Sequence, residues 1–208
     1  MIAHMLPFLP GEPAAPASSE ILFYSDVTIK SCQKLCAQLC ALDRKRAAPY
    51  ITLRIQSNGG SVRDALLVVD TIKQLRTPVH TQIDGYAASA ATLISIAGAQ
   101  GERSMHRHSS MLIHEMTADI TRGTPSEIVV AYTNVQEVER SANQMYEGHT
   151  RLRGQALDAE LKRDLWLDAP TCLAYGLVDY VIDSQRKDVP YFTDGLLSTH
   201  THVMRENQ

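Results

Sequence analysis

The stretch Gly85-Tyr86-Ala87-Ala88-Ser89-Ala90-Ala91 decides the fold, because it separates two apolar segments of different character. The segment before it, residues 78–83, is short and begins with a proline, as is typical of a buried strand. The segment after it, residues 90–99, is apolar apart from three positions and is typical of a buried helix. We therefore predict a strand, a tight turn of small residues, and a helix that begins at Ser89.

Ser89 has two interpretations at this position. A serine at a helix start is usually an N-cap, and that interpretation stays open. The free N–H groups and the dipole of a helix start also stabilise negative charge nearby. Because acyl transfer needs an activated serine beside such an anion site, Ser89 is also a candidate nucleophile.

Helical and extended patterns alternate along the rest of the chain, which favours an α/β fold. Strands are predicted at residues 21–24, 50–55, 79–83, 103–105, 110–113, 165–167 and 177–182. Helices are predicted at residues 29–41, from 61 to the Thr77-Pro78 stop, and at 90–99, 125–151, 157–161 and 170–175. We expect one domain over residues 20–185, an irregular segment at 1–19 and a weakly ordered tail at 186–208.

Charge and hydropathy exclude several classes of partner. The 208 residues carry a formal net charge of -3, which gives no electrostatic reason to bind nucleic acid or an anionic membrane. No apolar run reaches the roughly 18 residues of a membrane span. The first 20 residues contain no Lys or Arg, unlike a basic targeting signal. We therefore expect a cytoplasmic protein that binds neither nucleic acid nor membrane.

Three of the four cysteines, Cys32, Cys36 and Cys40, recur every fourth residue and so share one helix face. Small apolar side chains packed against a core explain this spacing. Since no Cys-x-x-Cys pair or histidine accompanies them, we predict no metal site.

Two further features give Ser89 a chemical setting. Gly59-Gly60 lies at a turn from strand to helix, where glycine lets a backbone N–H face a ligand. Gly60 and Ala90 are candidates for the two N–H donors that a tetrahedral oxyanion needs, although an ordinary glycine turn is the alternative. His114 ends the apolar strand Met111-Leu112-Ile113, and a histidine titrates near neutrality as a general base must. A structural histidine is the alternative there.

The order of four motifs resembles the ClpP family of self-compartmentalising serine peptidases. They are IQSNGGSV at 55–62, GYAAS at 85–89, MLIH at 111–114, and RDLWLDAP at 163–170 with YGLVD at 175–179. The resemblance covers about residues 20–183. It implies a ClpP/crotonase-like stack of ββα units with a protruding helical handle, for which residues 125–151 are the candidate.

The resemblance also implies roles for individual residues. Ser89 is implied as the nucleophile, His114 as the base and Asp164 as the acid that orients the histidine. Asp168 and Asp179 are alternatives for the acid. Gly60 and Ala90 match the oxyanion donors, and the segments that would flank an extended peptide contain Ser61, Val62, Met116 and Thr117.

The implied protein is a serine endopeptidase that cleaves peptides or unfolded proteins inside an oligomeric chamber. Two heptameric rings would stack as a tetradecamer and an AAA+ unfoldase would deliver substrate, while the peptidase itself needs no cofactor. Departures such as Leu165, where many members carry arginine, indicate a divergent member of phage type or a paralogue. Two other functions remain open: a non-catalytic ring subunit and a crotonase-fold acyl-CoA enzyme.

Overall fold

The computed structural model describes residues 19–46, 48–118, 120 and 122–182. The strands are β1 (Ser19–Phe23), β2 (Ile51–Ser57), β3 (Val79–Ala88), β4 (Arg103–His106), β5 (Ser110–Leu112), β6 (Trp166–Leu167) and β7 (Tyr180–Ile182). The helices are α1 (Ile29–Lys45), α2 (Val62–Gln74), α3 (Ala90–Ile96), α4 (Pro125–His149), α5 (Gly154–Leu161) and α6 (Ala169–Tyr175). The predicted irregular segment and the predicted tail lie outside the described residues, except for Ser19, which opens β1.

The described strands form one sheet that forks at β3. The order β1-β2-β3-β4-β7 is parallel throughout. The first part of β3 pairs with β4, whereas its last part, from Tyr86 to Ala88, pairs in parallel with β5. At the fork Gly85 has a φ of 79° and donates its N–H to the Ser109 hydroxyl over 3.0 Å. The fork therefore places the carboxyl ends of β3 and β5 side by side.

The predicted turn after Ile83 is wrong in extent. The strand continues to Ala88, and Ser89 alone separates it from α3. The Ser109 hydroxyl makes this possible, because it accepts from Gly85 and donates to the carbonyl oxygen of Ile83 over 3.1 Å, and so replaces ladder bonds at the fork.

Alternation along β2 gives the sheet one core face and one polar face. Ile51, Leu53 and Ile55 are at most 1% exposed, whereas Thr52 and Arg54 between them are half-buried on the other face. Helices α1, α2 and α3 cover the core face, and their apolar side chains join the same cluster. This agrees with the α/β fold expected from the sequence.

Helix ends follow their caps. The predicted start of α2 at residue 61 is confirmed, since Ser61 is its N-cap and its hydroxyl accepts the N–H of Asp64 over 3.2 Å. The predicted end of α1 at residue 41 is wrong. The helix continues because Leu42 packs against the core, and it stops where Arg46 adopts a left-handed conformation with φ 47°.

Helix α4 is long, and only its carboxyl half packs on the sheet domain. Ala142, Met145 and Tyr146 are buried there. Near its start, Val129 and Val130 are 64% and 60% exposed. The amino half of α4 is therefore an apolar arm that the rest of the described chain leaves uncovered.

Candidate active site

Ser89 forms a sharp turn between β3 and α3. Its φ of 53° and ψ of -128° lie outside the regions that residues with a Cβ normally adopt. Its N–H donates to the carbonyl oxygen of Leu112 over 2.8 Å, which ties the turn to β5. Within the described residues its hydroxyl makes no capping bond to α3, so the N-cap interpretation holds by position only. A serine on a strained strand-to-helix turn is typical of a nucleophile.

Gly59 packs directly on this turn, and the neighbouring Gly60 packs on the backbone of Val27. A Cβ on Gly59 would lie 2.4 Å from the carbonyl oxygen of Ala88, and a Cβ on Gly60 would lie 2.3 Å from that of Val27. Val27 holds the loop on both sides, because its N–H donates to Gly59 and its carbonyl oxygen accepts the N–H of Ser61. Glycine is required here by close backbone approach.

The two predicted oxyanion donors are unused. Among the described residues, the backbone N–H groups of Gly60 and Ala90 donate to no backbone or side-chain acceptor. Both residues line the cavity that contains Ser89. Two N–H groups left free beside a serine are available to a developing negative charge.

A cavity of about 310 Å³ brings most of the predicted site residues together. Ser89 and His114 both line it. The predicted substrate-flanking residues also line it: Ser61, Val62, Met116 and Thr117. Apolar side chains of α3, α4 and α5 complete it, namely Leu93, Val135, Val138, Ala142, Tyr146 and Leu161.

Asp164 lies outside the cavity lining, but the strand register relates it to the histidine. Strand β6 is antiparallel to β5, with Trp166 opposite Leu112. The ladder ends with this pair, and Asp164 and His114 each lie two residues beyond that same end of it. Asp164 is exposed and has a φ of 50°. Within the described ranges no hydrogen bond joins Ser89 to His114 or His114 to Asp164.

The two alternative acids are engaged elsewhere. Asp168 is the N-cap of α6, and the hydrogen bond from Thr171 lowers the pKa of its carboxyl. Asp179 forms a buried ion pair with Arg103, with 2.5 Å between Oδ1 and Nη2. Of the three candidates, only Asp164 makes no hydrogen bond or ion pair within the described residues.

Two buried hydroxyls under the site had no sequence signal. Tyr146 lines the cavity floor, and burial raises the pKa of its phenol to about 12. Its hydroxyl lies 2.5 Å from Oγ1 of Thr92, which in turn donates to the carbonyl oxygen of Ser89 over 2.6 Å. The partners are 54 residues apart in the sequence, so no local pattern pairs them.

The four cysteines are unpaired thiols, with Cys32 and Cys172 buried, which agrees with a packing role. Across residues 19–182, as far as they are described, no three His, Cys, Asp or Glu side chains gather as a metal site would require. None of the helices in the described part of the chain is both long and apolar enough to cross a membrane.

Comparison with known proteins gives concordant matches. Residues 15–185 match the family model described as Clp protease. The chain is 33% identical over 169 residues to the ATP-dependent Clp protease proteolytic subunit 2 of Parasynechococcus marenigrum (strain WH8102), covering 79% of this chain and 84% of that protein. It is 31% identical over 166 residues to the ATP-dependent Clp protease proteolytic subunit 1 of Corynebacterium glutamicum, covering 80% of each.

Proposed function

The chain belongs to the Clp protease family, and from that premise we propose that it is a serine endopeptidase that acts through an acyl-enzyme. The observation that carries the proposal is the shared cavity, in which Ser89 on its strained turn lies with His114 and two free backbone N–H groups. The α/β fold is that of the family, as the resemblance implied.

The proposed chemistry assigns one task to each group. His114 takes the proton of Ser89 as Oγ attacks the scissile carbonyl carbon, and later gives that proton to the leaving amine. The N–H groups of Gly60 and Ala90 stabilise the oxyanion. Asp164, which lies beyond the same end of the β5–β6 ladder as His114, orients the imidazole and stabilises its cation. Water then hydrolyses the acyl-enzyme.

The cavity walls support an extended peptide as substrate. Ser61 and Val62 lie on one chain segment, and residues 115–118 on another. We propose that peptide substrate pairs with the backbone of these segments as an added strand. Leu93, Val138 and Ala142 give the cavity an apolar part, which suits an apolar substrate side chain next to the cleaved bond.

We further propose that the chain assembles into heptameric rings that stack as a tetradecamer around a chamber. The uncovered arm of α4 supports this, since Val129, Val130 and Tyr132 are all more than half exposed. Apolar side chains clustered on one projecting helix are typical of a surface that a partner subunit covers. An AAA+ unfoldase that delivers unfolded protein is the proposed further partner.

A fluorophosphonate probe tests the proposal at the nucleophile. We expect covalent labelling of the wild-type protein, mapped to Ser89 by peptide mass spectrometry, and no labelling of Ser89→Ala. Ser61→Ala is the matched control, because Ser61 lines the same cavity but has no assigned nucleophilic role. Labelling that persists in Ser89→Ala would show that the nucleophile is misassigned.

A second candidate function is a non-catalytic ring subunit. It is favoured by one observation, the lack of hydrogen bonds among Ser89, His114 and Asp164 in the described structure. The same experiment separates the two, with native mass spectrometry on the sample. An assembled oligomer that the probe does not label would support the structural role over the peptidase.

A further inference from the structure

Two buried hydroxyls hold the peptide group that follows Ser89. The hydroxyl of Thr92 donates to the carbonyl oxygen of Ser89 over 2.6 Å, and its backbone N–H donates to the same oxygen over 2.9 Å. We propose that Thr92 and Tyr146 are positioning residues that fix the direction of the Ala90 N–H toward the cavity. This inference rests on the proposed function, in which that N–H stabilises the oxyanion.

We call the hydrogen-bonded hydroxyls of Tyr146 and Thr92 the clamp. Peptide geometry connects this clamp to the oxyanion donor, the N–H of Ala90. The carbonyl group of Ser89 and the N–H of Ala90 belong to one planar peptide unit, and in a trans peptide they point in opposite directions. The described chain contains no cis peptide bond. Two donors on the oxygen therefore also fix the orientation of the N–H, which remains free of any hydrogen bond within the described residues.

The number of hydroxyl protons determines which group donates in each hydrogen bond. The Thr92 hydroxyl has one proton, and it is used on the carbonyl oxygen of Ser89. The 2.5 Å contact between the two hydroxyls must then use the phenol proton of Tyr146. Thr92 is fully buried and Tyr146 is 5% exposed, so bulk water does not compete for these bonds. The order is Tyr146 to Thr92 to the Ser89 carbonyl.

The clamp matters because the turn it holds is strained. A backbone conformation such as that of Ser89 persists only where its surroundings fix it from several sides. Gly59 packs against one side of the turn, and the Thr92–Tyr146 pair fixes the other. Since Tyr146 belongs to α4, the helix that carries the projecting arm also contributes to the geometry beside the nucleophile.

Substitutions that remove one hydroxyl at a time test the clamp. Thr92→Val and Tyr146→Phe keep the shape of the side chain, and Thr92→Ser restores a hydroxyl as a rescue. Thr81→Val is the matched control, because the buried Thr81 hydroxyl donates to the carbonyl oxygen of Ser95 over 2.8 Å, near the opposite end of α3. The readouts are the rate of phosphonylation of Ser89 by a fluorophosphonate probe, and kcat and KM for a short fluorogenic peptide.

We expect Thr92→Val to lower kcat and the phosphonylation rate by about tenfold or more, with KM little changed, because misplacement by a fraction of an ångström weakens only the transition state. Tyr146→Phe should have a smaller effect, since Thr92 keeps its own bond. Thr92→Ser should restore most of the rate. The double variant should be no slower than Thr92→Val, because the two hydroxyls act in series.

The outcomes separate this inference from the proposed function. A wild-type protein that is neither labelled nor active refutes the peptidase, and the clamp with it. A labelled wild type with Thr92→Val no slower than Thr81→Val refutes the clamp alone. If Thr92→Val does not fold, Tyr146→Phe compared with Thr81→Val decides, and equal rates there count against the clamp.

Discussion

Replacing Gly59 by alanine should disable the site, because the added Cβ would overlap the backbone beside Ser89 by about 1 Å. The added Cβ would lie 2.4 Å from the carbonyl oxygen of Ala88 and 2.7 Å from Cβ of Ser89, whereas ordinary contact begins at 3.4 Å. The obstructing atoms include the backbone on either side of Ser89, so the Ser89 turn itself must move by about 1 Å to relieve the overlap. Misplacement of that size costs about a hundredfold in rate.

Gly101→Ala is the control for the conformational cost of placing alanine at a positive φ. Gly59 and Gly101 have φ values of 90° and 89°, but a Cβ on Gly101 would meet nothing within 4 Å. Both substitutions carry the penalty of a left-handed alanine, about 1–2 kcal/mol. Gly59→Ala adds overpacking of about 1–3 kcal/mol. For a chain of 208 residues we expect Tm to fall by about 2–8 °C in the control and about 4–20 °C in Gly59→Ala.

The assay compares the two variants by thermal unfolding and by hydrolysis of a fluorogenic peptide at a temperature where both are folded. We expect Gly101→Ala to keep wild-type kcat/KM and Gly59→Ala to lose about two orders of magnitude. If the folded Gly59→Ala protein is as active as Gly101→Ala, the reasoning that ties this glycine to the position of Ser89 is refuted.

Three further predictions concern stability and assembly. Asp179→Asn leaves the buried Arg103 guanidinium, 6% exposed, without its counter-charge. The loss costs about 3–5 kcal/mol of folding free energy and should lower Tm by about 6–20 °C. As a control, Arg140→Gln, which breaks the exposed ion pair with Glu137, should leave Tm unchanged. Burial raises the pKa of the Asp84 carboxyl, but hydrogen bonds from Arg54, Tyr24 and Gln82 outweigh it and hold the pKa below its ordinary value. The lowered pKa of Asp84 stabilises the folded state above about pH 4, and this stabilisation is lost as the pH falls further. The Tm of Asp84→Asn should therefore decline less from pH 6 to pH 3 than the Tm of the wild type. The double variant Val129→Asp/Val130→Asp should form smaller oligomers by native mass spectrometry. Its circular dichroism spectrum should not change, because both side chains are exposed in the single chain. An unchanged oligomer mass would argue against the α4 arm as an assembly surface.

Local patterns predicted the elements whose signals are local. The alternation in β2, the Ser61 cap of α2 and the length of α4 to within two residues follow from periodicity and capping. Helix α6 ends at residue 175 as predicted, because Gly176 adopts the left-handed conformation, with φ 70°, that caps it. The same patterns indicated the two strand-to-helix turns, one at Gly59-Gly60 and one at Ser89.

Predicted boundaries of strands were wrong where tertiary contacts, often with residues far away in the sequence, determine where the strand begins or ends. The last strand was predicted from residue 177 but begins at Tyr180, because Leu177 and Val178 are buried in the turn before it. The continuation of β3 depends on Ser109, 24 residues further along the chain. No single stretch of sequence displays such pairings, and the Thr92–Tyr146 bond escaped prediction for the same reason.

Strand β5 lies between β3, which leads to Ser89, and β6, which follows Asp164, yet its ladders are short. Three residue pairs join it to β3 and two join it to β6. Parting those few pairs moves Ser89, His114 and Asp164 apart while the longer ladders that join β1, β2 and β3 stay intact. A local opening at β5 therefore requires only a small fraction of the free energy of global unfolding. Hydrogen exchange at the amide of Ser89, whose partner is Leu112, would report that opening directly.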